Sequence, residues 1–151
     1  MEAPKAAAPP APLPRLVVID EERGDAAEFR RLFVGKIEVV DAADFPAGLA
    51  LVAREPGAVV LLDVSLPGPD GMSLAQYLEA YQPELARRLI VTTGGAGLRI
   101  AFRFRFLHGC PFLPKPIDPD ELKREVLRLH PAALALAAAD PARAAPVPPS
   151  T

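Results

Sequence analysis

Cysteine is nearly absent: the chain has one, Cys110, so no internal disulfide can staple it and a reducing, cytoplasmic setting is expected. Long apolar runs are missing too. None approaches the roughly 20 residues that a bilayer requires, so no membrane span is expected. Residues 1–14 are largely Ala and Pro, without the basic and apolar regions of a signal peptide. Neither sign of charge dominates: 17 basic and 19 acidic residues leave a net −2, which gives no electrostatic reason to expect direct DNA binding. No internal repeat is visible, and 151 residues provide for one ordinary core.

What is there is a series of short apolar runs. Leu16-Val17-Val18-Ile19, Val59-Val60-Leu61-Leu62 and Leu89-Ile90-Val91 read as strands buried on both faces, the pattern of a parallel sheet. Lys36 to Val40 reads as a further strand, and Phe112-Leu113 as a last one that its flanking prolines confine to a sheet edge. Helices fall between them. Asp25 is expected to cap one that buries Ala26, Phe29, Leu32 and Phe33 before Gly35, and Asp44 opens one with Phe45, Leu49 and Val52 on one face. Ser73 and Gln76 suit a capping box ahead of Leu74, Tyr77, Leu78 and Tyr81. Arg99 to His108 is expected to be helical, with Ile100, Phe104 and Leu107 inward and Gly109 as terminator. Asp118-Pro119-Asp120-Glu121 starts the last helix, which buries Leu122, Val126 and Leu129.

Alternation of strand and helix requires right-handed crossovers, hence an α/β doubly wound parallel sheet. Residues 1–14 and 130–151, rich in Ala and Pro, are expected to be disordered tails around a domain at 15–129. Ala132 to Ala139 has helix-favouring composition and can carry the last helix across Pro131.

Two strand ends carry acids, Asp20 and Glu21 after the first and Asp63 after the third, and the carboxyl edge of an open α/β sheet is where ligands bind. Pro67, Gly68, Pro69 and Gly71 force a loop beyond Asp63. Carboxylates crowded at one edge raise one another's pKa or share a cation, and Mg²⁺ suits one or two of them plus a phosphate. Thr93 and Lys115, at the ends of the fourth and fifth strands, would add a hydroxyl and an ammonium for a phosphoryl group.

Val18-Ile19-Asp20-Glu21-Glu22, Leu61-Leu62-Asp63-Val64-Ser65-Leu66-Pro67-Gly68-Pro69-Asp70-Gly71, Ile90-Val91-Thr92-Thr93-Gly94 and Phe112-Leu113-Pro114-Lys115-Pro116 resemble the receiver domains of two-component response regulators (CheY-like). That resemblance, over about Arg15 to Leu129, implies a flavodoxin-like fold of strand order 2-1-3-4-5. It implies Asp63 as phosphoacceptor and Asp20, Glu21, Asp63 and the Ser65 carbonyl as holders of Mg²⁺. Thr93 and Phe112 would be the switching pair, Lys115 the cation at the phosphoryl group, and Lys115-Pro116 a cis bond. Glu21 stands where aspartate is more usual.

The function so implied is a phosphorelay receiver, not itself an enzyme, taking its phosphoryl group from a sensor histidine kinase or histidine phosphotransferase. It would signal to a downstream protein through helix four, strand five and helix five, with phosphorylation-dependent dimerisation as one form of output. One alternative is a docking module that no longer switches. Another is an aspartyl-nucleophile phosphohydrolase, which needs a second acid two residues after the nucleophile, where Ser65 stands. On a helical wheel, Phe102 and Phe106 fall beside Arg99 and Arg103 on the side away from Phe104, which marks these four as a candidate interaction surface.

Overall fold

A computed structural model of the chain describes residues 12–69 and 72–139; the Asp70-Gly71 pair of the expected loop and most of both expected tails lie outside them. Five strands, β1 (Arg15–Ile19), β2 (Glu38–Ala42), β3 (Val59–Asp63), β4 (Leu89–Thr93) and β5 (Phe112–Pro114), alternate with α1 (Arg23–Leu32), α2 (Phe45–Arg54), α3 (Leu74–Tyr81), α4 (Leu98–His108) and α5 (Pro119–Ala139). The strands form one parallel sheet in the order β2-β1-β3-β4-β5, the doubly wound flavodoxin-like arrangement.

Side chains alternate between the two faces of each strand, and that alternation sorts the core into two layers. Val17, Ile19, Val60, Leu62, Leu89 and Val91 meet Leu49 and Val52 of α2, Leu74 and Leu78 of α3, and Ala101 and Phe104 of α4. Leu16, Val18, Val59, Leu61, Ile90 and Leu113 meet Ala26 and Phe29 of α1 and Leu122 and Val126 of α5. Every residue of β3 and β4 is buried, which is why their sequences are uninterrupted apolar runs rather than alternating ones.

Several local expectations hold atom by atom. The Asp44 carboxylate accepts from the Ala47 amide at 3.0 Å, and the Ser73–Gln76 capping box is closed in both directions. Gly109 ends α4 at φ 69°, a left-handed conformation that glycine adopts without a Cβ penalty. Beyond β3, Gly68 is required for a different reason. A Cβ there would lie 2.8–2.9 Å from the backbone of Met72, Ser73 and Leu74, against which the Gly68 amide donates to Met72 O.

Other expectations need correction. Strand β2 starts at Glu38, not Lys36, because the Lys36 and Ile37 amides close a turn on the Phe33 carbonyl. Asp25 does not cap α1, which begins at Arg23 after Glu22; it lies in the first turn. Leu32, Tyr81 and Leu107 are exposed, while Phe33 is buried as expected and Ala101 is a buried residue of α4 that was not expected. The domain does not end at Leu129: α5 continues through Pro131 to Ala139 and fully buries Ala133, while Leu134 covers Gly57. A helix interior tolerates proline poorly, so burial of the following turn is what holds it in line.

A 3₁₀ helix at Pro83–Arg88 was not foreseen, nor was the role of Arg88. Its guanidinium is buried and donates to the carbonyls of Val52, Glu55 and Ala58, satisfying the end of α2 and the turn into β3. Burial lowers its pKa to about 10. Arg88→Met is expected to remove these donors and leave buried carbonyls unpaired, costing about 2–4 kcal/mol of unfolding free energy by denaturant titration.

Candidate functional site

Strand register assembles the site. Ile19 stands opposite Leu62, so Asp20 and Asp63, each one residue further, leave the sheet side by side. Asp63 stands opposite Thr92 and Thr93 opposite Pro114, so the next residue in each direction brings Thr93 and Lys115 to the same edge. A slip of one residue in any pairing would turn these side chains to the other face.

Asp20 and Asp63 are both buried, and one ammonium serves both. Lys115 Nζ lies 2.7 Å from Asp20 Oδ2 and 3.0 Å from Asp63 Oδ2, with the exposed Glu22 carboxylate further out at 3.8 Å. Burial by itself would lower the Lys115 pKa, but its hydrogen bonds to Asp20 and Asp63, with their negative charge, raise it above the ordinary lysine value. Its backbone amide is tied to Thr93 O, and the peptide bond to Pro116 is cis, as the resemblance implies.

The other Asp63 oxygen is held by its own loop. Oδ1 accepts from the Ser65 amide at 2.9 Å and from the Ser65 hydroxyl at 2.6 Å. Asp20 Oδ1 likewise accepts from the Glu22 amide at 2.9 Å. Both acids are therefore oriented by the backbone that follows them, and Asp63 is presented with Oδ2 towards Lys115. Thr93 is buried at this edge, with Oγ1 accepting from the amides of Gly95 at 3.3 Å and Gly97 at 3.0 Å.

One ammonium against two buried carboxylates leaves this cluster a unit short of neutral, and Glu21 and Glu22 stand exposed beside it. The donors that Asp20 and Asp63 offer are hard carboxylate oxygens, a chemistry that suits Mg²⁺ with its need for few protein ligands. Among the described residues no group of three or more His, Cys, Asp or Glu that could hold a metal is formed.

Reading the residues in sequence missed three things. The Ser65 amide and hydroxyl both hold Asp63; a hydroxyl two residues after a strand-end acid is the signal that was available. Asp25 faces the cluster, and its carboxyl pKa is raised by burial and then by Asp20. The third is a contact: α4 is helical and Phe102 and Phe106 are 53% and 88% exposed, yet the Phe102 ring also lies 5.6 Å from that of Phe112. Arg99 is exposed, whereas Arg103 is held by Glu79 of α3 at 2.9 Å.

In a doubly wound sheet the carboxyl ends of the strands are where ligands bind, and these oriented carboxylates stand there. Residues 16–127 match the model of the response regulator receiver domain, and the chain belongs to that family. It is 29% identical over 114 residues to the response regulator protein PilR of Pseudomonas aeruginosa, covering 74% of this chain and 25% of PilR. Sporulation initiation phosphotransferase F of Bacillus subtilis is 24% identical over 118 residues, 78% of this chain and 94% of that protein. A receiver domain structure from Clostridium thermocellum superposes with a TM-score of 0.65 at 23% identity, covering 82% of this chain and 99% of that one, a likeness of fold. The chain thus spans about a quarter of PilR but nearly all of the phosphotransferase.

Lys115→Ala leaves the Asp20 and Asp63 carboxylates facing each other without their ammonium. It is expected to destabilise the fold by about 2–3 kcal/mol in chelator and to regain more stability from added Mg²⁺ than the wild type does, read by thermal unfolding with and without the metal.

Proposed function

We propose that this chain is a phosphoacceptor receiver, modified on Asp63 by a phosphohistidine donor and signalling through a changed docking surface. The observation that carries this reading is the sharing of Lys115 Nζ by two buried strand-end carboxylates, with the Thr93 hydroxyl at the same edge. Family membership supports a histidine kinase or histidine phosphotransferase as the donor. Among the described residues no helix is long and apolar enough to cross a membrane, and a cytoplasmic setting fits the chemistry proposed.

Asp63 Oδ2 is the nucleophile. It attacks phosphorus, the phosphorus–nitrogen bond of the donor breaks, and the imidazole keeps that electron pair. Ser65, through its amide and hydroxyl, fixes Oδ1 and so aims the other oxygen. Lys115 Nζ, already 3.0 Å from Oδ2, offsets the negative charge that arrives with the phosphoryl group. Asp20, Asp63 and the Ser65 carbonyl would hold Mg²⁺, with Glu21 adding charge beside Asp20. Held there, it would supply positive charge to offset the phosphoryl oxygens and the neighbouring acids.

The acyl phosphate adds charge and acceptor oxygens next to Thr93, whose Oγ1 now serves two amides at the start of α4. Drawing that hydroxyl to the phosphoryl group frees them. Phe112, in contact with Phe102, extends the change to the outer face of α4, where Phe102, Phe106, Arg99 and Arg103 form the docking surface for a downstream protein. A second copy of the chain is a further partner this surface allows. In this role the chain is a signalling module and not a turnover enzyme, and the hydroxyl rather than an acid at position 65 separates it from an aspartyl phosphohydrolase.

Incubation with a small phosphodonor and Mg²⁺ is expected to add the mass of one phosphoryl group to the wild type, and none to Asp63→Asn or to wild type in excess chelator. Labelling of Asp63→Asn would overturn the assignment. Phe102→Ala with Phe106→Ala is expected to keep labelling and to weaken partner binding at least about tenfold, since exposed aromatic anchors carry most of an interface's energy. Unchanged partner binding in that variant would overturn the docking role of the two rings.

A further inference from the structure

The N-cap of α4 lies so close to the segment that follows Asp63 that no side chain fits between them. Gly97 is the buried N-cap of α4, and no side chain caps that end for it. Its amide donates instead to Thr93 Oγ1 at 3.0 Å. A Cβ at Gly97 would lie 2.9 Å from Val64 Cγ2, 3.1 Å from Thr93 Oγ1 and 3.2 Å from the Ser65 amide nitrogen. Val64 is fully buried, so its methyl has nowhere to retreat. The Ser65 amide is the group that donates to Asp63 Oδ1.

From this we infer that Gly97 is a positioning residue, through which the state of Asp63 reaches the first turn of α4. The inference rests on the phosphoacceptor reading and adds to it a second route. Thr93 carries the change by its hydroxyl. Gly97 carries it by steric contact, because any shift of Ser65 that accommodates a modified Asp63 moves a neighbour packed directly against the α4 N-terminus. Contact of this kind works in both directions: what displaces Gly97 must also displace the Ser65 amide and so alter Asp63. Glycine is needed here for closeness rather than for backbone freedom, since φ is −103°, open to any residue.

The test compares wild type, Gly97→Ala, Val64→Ala and the double variant, each with and without a small phosphodonor and Mg²⁺. Intact mass reports Asp63, and amide hydrogen exchange reports the Gly95 and Ala101 amides, bonded to Thr93 Oγ1 and Gly97 O. In wild type, phosphorylation is expected to speed exchange of these amides by about tenfold. Gly97→Ala is expected to show the faster exchange already without phosphodonor and to respond little to it. Val64→Ala removes the nearest atom, so the double variant is expected to recover the phosphorylation-dependent response, a rescue that simple loss of stability would not produce. Should Gly97→Ala not fold, Val64→Ile presses on the same contact from the other side and is expected to shift the same amides. A normal phosphorylation response in Gly97→Ala, or in Val64→Ile where that variant stands in, overturns the role of Gly97 while leaving the receiver reading intact. Absence of any mass gain in wild type overturns the receiver reading itself.

Discussion

The arrangement depends on an ammonium that two buried carboxylates share. Asp20 and Asp63 come from different strands, and bringing two negative charges out of water to adjacent positions is unfavourable unless a cation lies between them. Lys115 supplies it from the loop after β5, at 2.7 and 3.0 Å. The interaction therefore joins three of the five strand ends, and it holds β5, a strand of three residues at the sheet edge, to the centre of the fold. It also leaves net negative charge at the carboxyl edge of the sheet, beside the exposed Glu21 and Glu22.

Around that pair each acid is oriented by its own loop. The Glu22 and Ser65 amides hold one oxygen of Asp20 and of Asp63, so neither side chain rotates freely and each keeps its second oxygen for Lys115. This is preorganisation by local hydrogen bonds, which small polar residues after a strand offer without help from the rest of the protein. Thr93 has a different task, spending its acceptor capacity on the turn that opens α4. The site and the neighbouring helix are thus connected by the Thr93 hydroxyl and the amides it serves. A change at Asp63 has a short physical path to travel.

Remote from this edge, the opposite end of the sheet is closed by groups of another kind. Arg88 serves the carbonyls at the end of α2, and the last turns of α5 lie over Gly57. The family match ends at residue 127, while α5 runs to Ala139. Those added turns bury Ala133 and cover the α2–β3 turn, so they belong to the folded body rather than to a tail.

The apolar runs, caps and terminators were legible because each acts within a few residues. Val59 to Leu62 must be buried on both faces, Ser73 and Gln76 can satisfy each other, and Gly109 can turn left-handed, whatever the rest of the chain does. The identities of Asp20, Asp63, Thr93 and Lys115 were legible for the same reason, as polar residues placed where strands stop. What lay beyond reach was decided by register and by packing between distant segments: that Ile19 pairs with Leu62, that Arg88 finds the end of α2, that Leu107 turns outward while Ala101 turns in, and that Ala133 is fully buried. Sequence names the groups at each strand end. Only the tertiary structure sets them within 3.0 Å of a common ammonium, because that distance is fixed by the pairing of strands far apart in the chain.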